Sequence, residues 1–396
     1  MTSTESRATY YLHVGLPKTG TTYLQSQLRA HRDALSEAGV LYPRMGKRGR
    51  FLAALDGRDL HTYAGVNRSA EGHWARFVES TCDFPGRVVF SHEVMGAPDG
   101  TAAPTALRLL EDHDVHIVVT VRDAARQLAS AWQQGLRHKS ARTFEDFIER
   151  ARLDPLDTYR RGAFGNQHVD SVLQAWAQHV PADRIHVVTV PAPGASSDVL
   201  WERFCTVLGV DPAQFPVYQE ARSNPSLGIV QLEHLRRINE AVGERLTNEA
   251  RVAHVRGFLV SEVLAKTAPS ARPVLPPGSR DAAASLAERW IDAVEKGGYD
   301  VVGDLDDLWP ADVEGREPAA WTADELIDVG AEASAELLIA YSETRRELEQ
   351  ARAALKKRRA PQREEASGGL RNAAGKVRRR LGSQSGPGTT LRTQDG

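Results

Sequence analysis

An apolar run, Tyr10 to Val14, stops at Gly15 and opens the stretch Gly15-Leu16-Pro17-Lys18-Thr19-Gly20-Thr21-Thr22-Tyr23. A loop held between two glycines can turn its backbone N–H groups inward, and a helix starting near Thr21 adds its positive dipole end at the same point. That combination is a phosphate cradle. The spacing matches G-x-x-x-x-G, yet the Walker pattern places Lys and then Ser or Thr directly after the second glycine. Here Thr21 and Thr22 follow, and Lys18 lies inside the loop, so its ammonium reaches a different oxygen from that of a kinase lysine. The plainer alternative is a tight turn between strand and helix.

A second group of residues points the same way. His116 to Val121 is a β-branched run that reads as a buried parallel strand, followed at once by Arg122 and Asp123. Arg122 then projects into the crevice where doubly wound sheets bind ligands, and its planar fork suits a phosphate dianion. Ser130, eight residues on, lies about two turns along a helix read from Ala124 to Arg137 and can donate to the same group. The alternative makes Arg122-Asp123 a helix-start ion pair and Ser130 a solvated residue. A third group, His92 and Glu93, ends the short strand Arg87 to Ser91. Successive strand residues face opposite ways, so one of the two enters the crevice, where it can take a proton from a hydroxyl.

With these residues in place, the chain resembles the sulfotransferases that use 3′-phosphoadenosine 5′-phosphosulfate (PAPS), bacterial members among them. Their 5′-phosphosulfate loop reads Pro-Lys-Ser/Thr-Gly-Thr-Thr, as Pro17 to Thr22 does, and their 3′-phosphate is held by a strand-end Arg and a Ser eight residues later, as Arg122 and Ser130 are placed. The resemblance implies metal-independent, in-line transfer of a sulfuryl group from PAPS to an acceptor hydroxyl. Lys18, the loop amides and the Thr21 and Thr22 hydroxyls would meet the charge on the leaving phosphate. The implied nucleotide contacts are Pro17, Lys18, Thr19, Gly20, Thr21, Thr22, Tyr23, Arg122 and Ser130, with Tyr23 offered to the adenine. The base is a His in cytosolic members and a Glu in several others, and look-alike bacterial members carry Ser-x-Glu, which Ser91-His92-Glu93 fits. Glu93 is therefore the first choice, His92 its neighbour or substitute, and His61 the fallback.

The likeness runs loosely from Tyr10 to Pro310, through Asp198 to Val210, Asn224 to Leu227 and Val302 to Pro310. Two positions depart from the animal cytosolic members. Val190 stands where they have a Tyr, and their Arg-Lys-Gly loop has no counterpart here, which leaves the Arg222 to Ser226 turn to close over the nucleotide. Carbohydrate, glycolipid and natural-product acceptors all fit. The cationic stretch Arg44 to Arg50 reads either as an acceptor-side lid or as a plain solvated loop.

The elements that must position these groups alternate between strand and helix patterns, which implies right-handed crossovers and a parallel sheet. We therefore expect an α/β, P-loop-like three-layer fold of the sulfotransferase type over residues 1–315, with a long helix over 316–360 and a basic disordered tail over 361–396. The 396 residues are 41% hydrophobic, enough for a large core. Cys82 and Cys205 give neither a disulfide framework nor a metal pattern. Met1 to Thr9 is polar and no apolar run nears a membrane span, so the expectation is a cytoplasmic enzyme. From Arg352 onward twelve Lys/Arg face three Asp/Glu, a charge of +9 against −11 for the rest. Lys356 to Arg359 and Lys376 to Arg380 could hold the chain at an anionic membrane surface, whereas nucleic acid is not expected, because no aromatic residue interleaves these cations. Tyr341, Leu348 and Leu355 are seven apart, a heptad pattern interrupted by Arg345 and Arg352, so the helix reads first as docking on the parent domain and second as a surface for self-association. Two rival readings stand beside sulfuryl transfer. One is a small-molecule kinase with Asp123 at the metal; the other is a nucleotide-binding scaffold without catalysis.

Overall fold

The structure, a computed structural model, describes residues 7–46, 48–60, 69–97, 99–151, 167–196, 198–219 and 227–381, with side chains as far as 356. The apolar runs form strands β1 Thr9–Gly15, β2 Val40–Leu41, β3 Arg87–Ser91, β4 Asp114–Val121, β5 Ile185–Thr189 and β6 Asp300–Val302. All pairings are parallel, in the order β2-β3-β1-β4-β5-β6. Parallel neighbours need crossovers, and helices supply them. They are α1 Thr21–Ala30, α2 Arg32–Glu37, α3 Gly49–Asp56, α4 His73–Glu79, α5 Ala102–Leu107, α6 Ala124–His138, α7 Phe144–Ala151, α8 Val169–Ala177, α9 Asp198–Val207, α10 Ile229–Val242 and α11 Arg280–Gly297. A π-helical segment, Arg251–Val263, lies between α10 and α11, and α12 Ala323–Leu381 follows β6.

Strand side chains alternate between two faces, and helices cover both. On one face Val89, Val118 and Val188 pack with Leu24 and Leu28 of α1 and with Trp201 and Phe204 of α9. On the other, the Phe90 ring meets Trp74 and Phe77 of α4, each at 5.0 Å between centroids. A parallel sheet between two helical layers is a three-layer α/β fold, and burial on both faces is why the strands read as continuous apolar runs. The 3₁₀ turn Leu305–Leu308 is tied back to the sheet: the Thr189 hydroxyl donates to Asp307 at 2.8 Å, and Arg203 pairs with the same carboxylate at 2.6 Å.

β1 lies between β3 and β4, so the chain changes its direction of travel across the sheet at β1. The carboxyl ends of β1, β3 and β4 consequently stand side by side, the place where open α/β sheets bind ligands. His13 of β1 is in register with Ser91 of β3 and Val118 of β4.

Two boundaries differ from the sequence reading. The chain divides into compact units Met1–Ala331 and Glu332–Gly396, not near 315. The first turns of α12 belong to the larger unit, because Arg316 pairs with Glu325 at 2.6 Å and Arg237 lies over the Trp321 ring at 4.9 Å. Instead of ending near 360, α12 continues to Leu381, 59 residues in all. Ala, Arg, Glu, Lys and Leu past 360 favour helix enough to carry the backbone across Pro361 and the Gly368-Gly369 pair. Residues 382–396, the end of the expected tail, lie outside the described residues. Within the smaller unit Leu338, Tyr341, Leu348 and Leu355 are exposed, and Arg345 pairs with Glu349 at 3.2 Å. Among the described residues, no helix is long and apolar enough to cross a membrane.

Candidate functional site

The loop between β1 and α1 is shaped by three residues in the left-handed region: Gly15 at φ 115°, Lys18 at φ 68° and Gly20 at φ 90°. Glycine meets that demand freely, but a lysine there is strained and marks a position held by its surroundings. Space reinforces the need at Gly20, where an added Cβ would lie 2.5 Å from the Leu200 side chain. Gly20 also starts α1 without any side-chain cap, and no acidic residue occupies the first turn. The amide-rich, positive end of the helix therefore faces the loop.

Beneath the loop lies a polar cluster buried in the sheet. Thr120 of β4 donates to the Gly15 carbonyl at 3.0 Å, and its hydroxyl also meets Thr19 Oγ1 at 2.5 Å and His13 Nε2 at 3.1 Å. His13 Nδ1 lies 2.8 Å from Ser91 Oγ on β3. An Nε2–H tautomer satisfies both contacts: His13 donates to Thr120 and accepts from Ser91. The Thr19 and Thr21 hydroxyls reach the Leu16 carbonyl at 2.6 and 3.2 Å, and Gln127 of α6 donates to the Pro17 carbonyl at 2.7 Å. Burial pushes the His13 pKa down to about 3, so the ring stays neutral at physiological pH.

Arg122, directly after β4, folds its guanidinium onto α6: Nη2 donates to the Arg126 carbonyl at 2.6 Å and to Ser130 Oγ at 2.8 Å. The two residues eight apart in sequence thus form one polar unit. Arg122 Nε is buried without a hydrogen-bond partner, and burial pulls the Arg122 pKa down to about 10. Such a group is poised for an anion, which would restore what desolvation costs. Arg122 and Ser130 line a cavity of about 710 Å³ that Arg272 also reaches. Asp123 does not pair with Arg122. It caps α6, accepting from Arg126 N at 2.8 Å, and pairs with the Arg126 side chain.

The loop itself lines a second cavity of about 750 Å³, with Lys18, Gly20, Thr21, Thr22, Tyr23 and Glu93 on its wall. Glu93 is packed against the loop so closely that a Cβ on Gly15 would lie 3.2 Å from its Cα. His92 takes another role: its Nδ1 accepts from Val94 N at 3.2 Å, which caps the 3₁₀ turn Glu93–Met95, and its ring lies 5.5 Å from Phe51. The His92 side chain is 17% exposed against 39% for Glu93, and the two approach to 3.8 Å. Burial lowers the His92 pKa, with Glu93 opposing and Arg50 adding to the effect. Tyr23 lines the cavity but also packs against the α1–α9 core. Its pKa is raised to about 12 by burial and by Asp198.

Lys18 keeps solvent access at the cavity mouth, yet the walls withdraw enough water to lower its pKa. Arg137 and Arg122 add to that lowering, and Glu93 opposes it. Arg137 at the end of α6 and Arg256 of the π-helical segment share this cavity, and neither was singled out in the sequence. Arg137 had a signal, since Ser130, Gln134 and Arg137 follow helical spacing along one face. Arg256 had none. Of the cationic stretch, Arg44 is paired with Asp33 at 3.0 Å and Arg50 lies over Tyr42 at 4.1 Å. Lys47 of the same stretch lies outside the described residues. His61 and Arg222 to Ser226 lie outside the described residues.

No protein-family model matches this chain, and no curated protein matches it either.

The buried His13 makes stability depend on pH. Its folded-state pKa of about 3 lies below the ordinary 6.5, so between those values the unfolded chain binds a proton that the native state refuses. Stability should therefore fall as pH drops from 6.5 towards 3. His13→Gln should make this slope shallower by up to one proton, measured as urea midpoints across that range. Equal slopes would show that His13 contributes nothing to it.

Proposed function

We propose that the chain is a sulfotransferase that moves a sulfuryl group from PAPS to an acceptor hydroxyl. What supports the reading most is one arrangement. Two separate anion cradles open at the same sheet edge, and one of them contains a buried arginine bonded to a serine eight residues on, with Nε left over. A nucleotide carrying phosphate groups at both ends needs two such cradles. The Gly15–Gly20 loop, Lys18 and the start of α1 suit the 5′-phosphosulfate; Arg122 and Ser130 suit the 3′-phosphate. Arg272, on the same cavity, offers a further cation there. The kinase alternative loses its candidate metal ligand, because Asp123 is engaged as helix cap and ion-pair partner.

In this reading Glu93 Oε takes the proton from the acceptor hydroxyl as the acceptor oxygen attacks sulfur. The bond from sulfur to the bridging oxygen breaks, and its electron pair stays on the phosphate of adenosine 3′,5′-bisphosphate. Lys18, the loop amides and the α1 N-terminus lie where that charge grows. His92 holds the backbone turn that aims Glu93.

Arg122→Ala should weaken adenosine 3′,5′-bisphosphate by about 2 to 3 kcal/mol while barely changing the affinity for adenosine 5′-phosphosulfate, which lacks the 3′-phosphate. Calorimetry that finds equal losses for both would make Arg122 structural. Glu93→Gln keeps shape but removes basicity, so sulfuryl transfer should slow about a hundredfold or more with nucleotide affinity within about twofold. His92→Asn is the control: if it abolishes turnover while Glu93→Gln does not, the imidazole is the base.

A further inference from the structure

The loop cavity draws its cations from more than the loop itself. Lys18, Arg137 and Arg256 line it from three different elements, with Glu93 as the carboxylate among its lining residues. Arg137 comes from the last turn of α6, one helical face along from Ser130. Arg256 comes from the π-helical segment Arg251–Val263, which supplies Val252, Gly257, Val260 and Ser261 to the same wall. π-Helical turns are rare and widen the helix, a feature that recurs at functional sites. The two arginines and Lys18 sense one another: Arg137 and Arg256 both push the Lys18 pKa down, and Arg256 does the same to Arg137 after burial. Bringing Arg256 up beside Lys18 is unfavourable unless an anion joins them. Among the described residues no carboxylate forms an ion pair with Arg256.

The volume points the same way. At about 750 Å³ the cavity is the size of a whole small-molecule site, far more than one phosphosulfate fills. Building on the sulfuryl-transfer reading, we infer that the acceptor carries an oxyanion as well as its reacting hydroxyl. The hydroxyl sits at Glu93 and the oxyanion, a carboxylate or a sulfate or phosphate ester, lies against Arg256 and Arg137. Guanidinium forks suit such planar or tetrahedral oxyanions in bidentate fashion, which fixes the hydroxyl's orientation as well as adding affinity.

The test uses the full chain saturated with adenosine 3′,5′-bisphosphate and titrated with matched probes: methyl β-glucuronide and glucose 6-phosphate against neutral methyl β-glucoside. At least one anionic sugar should bind tenfold or more tightly than the glucoside. Arg256→Ala should erase that preference without changing bisphosphate affinity, and Arg256→Lys should restore part of it. Anions that bind no better than the glucoside overturn the assignment while leaving sulfuryl transfer standing. If Arg256→Ala weakens the bisphosphate by the same factor as the anions, Arg256 belongs to the nucleotide and the inference fails. Wild-type protein that does not bind the bisphosphate at all removes the sulfuryl-transfer reading and this acceptor class together.

Discussion

The Thr120 hydroxyl is where three stretches of chain meet beneath the glycine-bounded loop. It donates to the Gly15 carbonyl and touches Thr19 and His13, while His13 reaches on to Ser91. β1, β3 and β4 are thereby joined by side chains at the edge where they end, in addition to their backbone ladders. A single buried hydrogen bond contributes only about 1 kcal/mol net, but orphaning a buried partner costs about 1 to 3. The cluster therefore acts as a unit: losing Thr120 would strand His13 Nε2 and a loop carbonyl at once. Lys18 is kept at positive φ, and the α1 amides are kept facing the cavity, only as long as this floor is intact.

Charge follows from that geometry. The strand ends bring Lys18, Glu93 and Arg122 to one edge, and α6 extends from it with Ser130 and Arg137 on its face. Burial then lowers the pKa values of the cations it surrounds, Lys18, Arg122 and Arg137 alike. Arg122, at about 10, remains charged near neutrality although it is poorly solvated. Poor solvation is what makes an arriving anion favourable, and it is the common physical basis for both cradles.

The parts legible in the sequence were those whose spacing is local. Gly15 to Thr22 and the Arg122–Ser130 interval each lie within one strand-loop-helix unit, so residue spacing translates directly into geometry. The choice between His92 and Glu93 was not legible, because strand alternation stops at Ser91 and the backbone turns into a 3₁₀ helix at Glu93. His13 carried a signal that passed unused: a lone polar side chain inside an apolar strand needs a buried partner. Arg256 was hidden by the π-helical segment, whose spacing matches neither a strand nor an α-helix, and β6 was hidden by its length of three residues. Pro361 and the glycine pair read as stops, whereas α12 runs on through them to Leu381 among residues that favour helix.

The most direct measurement is a metal-free calorimetric titration with adenosine 3′,5′-bisphosphate beside one with ATP and magnesium. If the two cradles grip a 5′- and a 3′-phosphate without metal, as proposed, binding should be near micromolar, about 8 kcal/mol, with clear preference for the bisphosphate. Equal or tighter binding of magnesium ATP would contradict that and return the loop to the kinase reading.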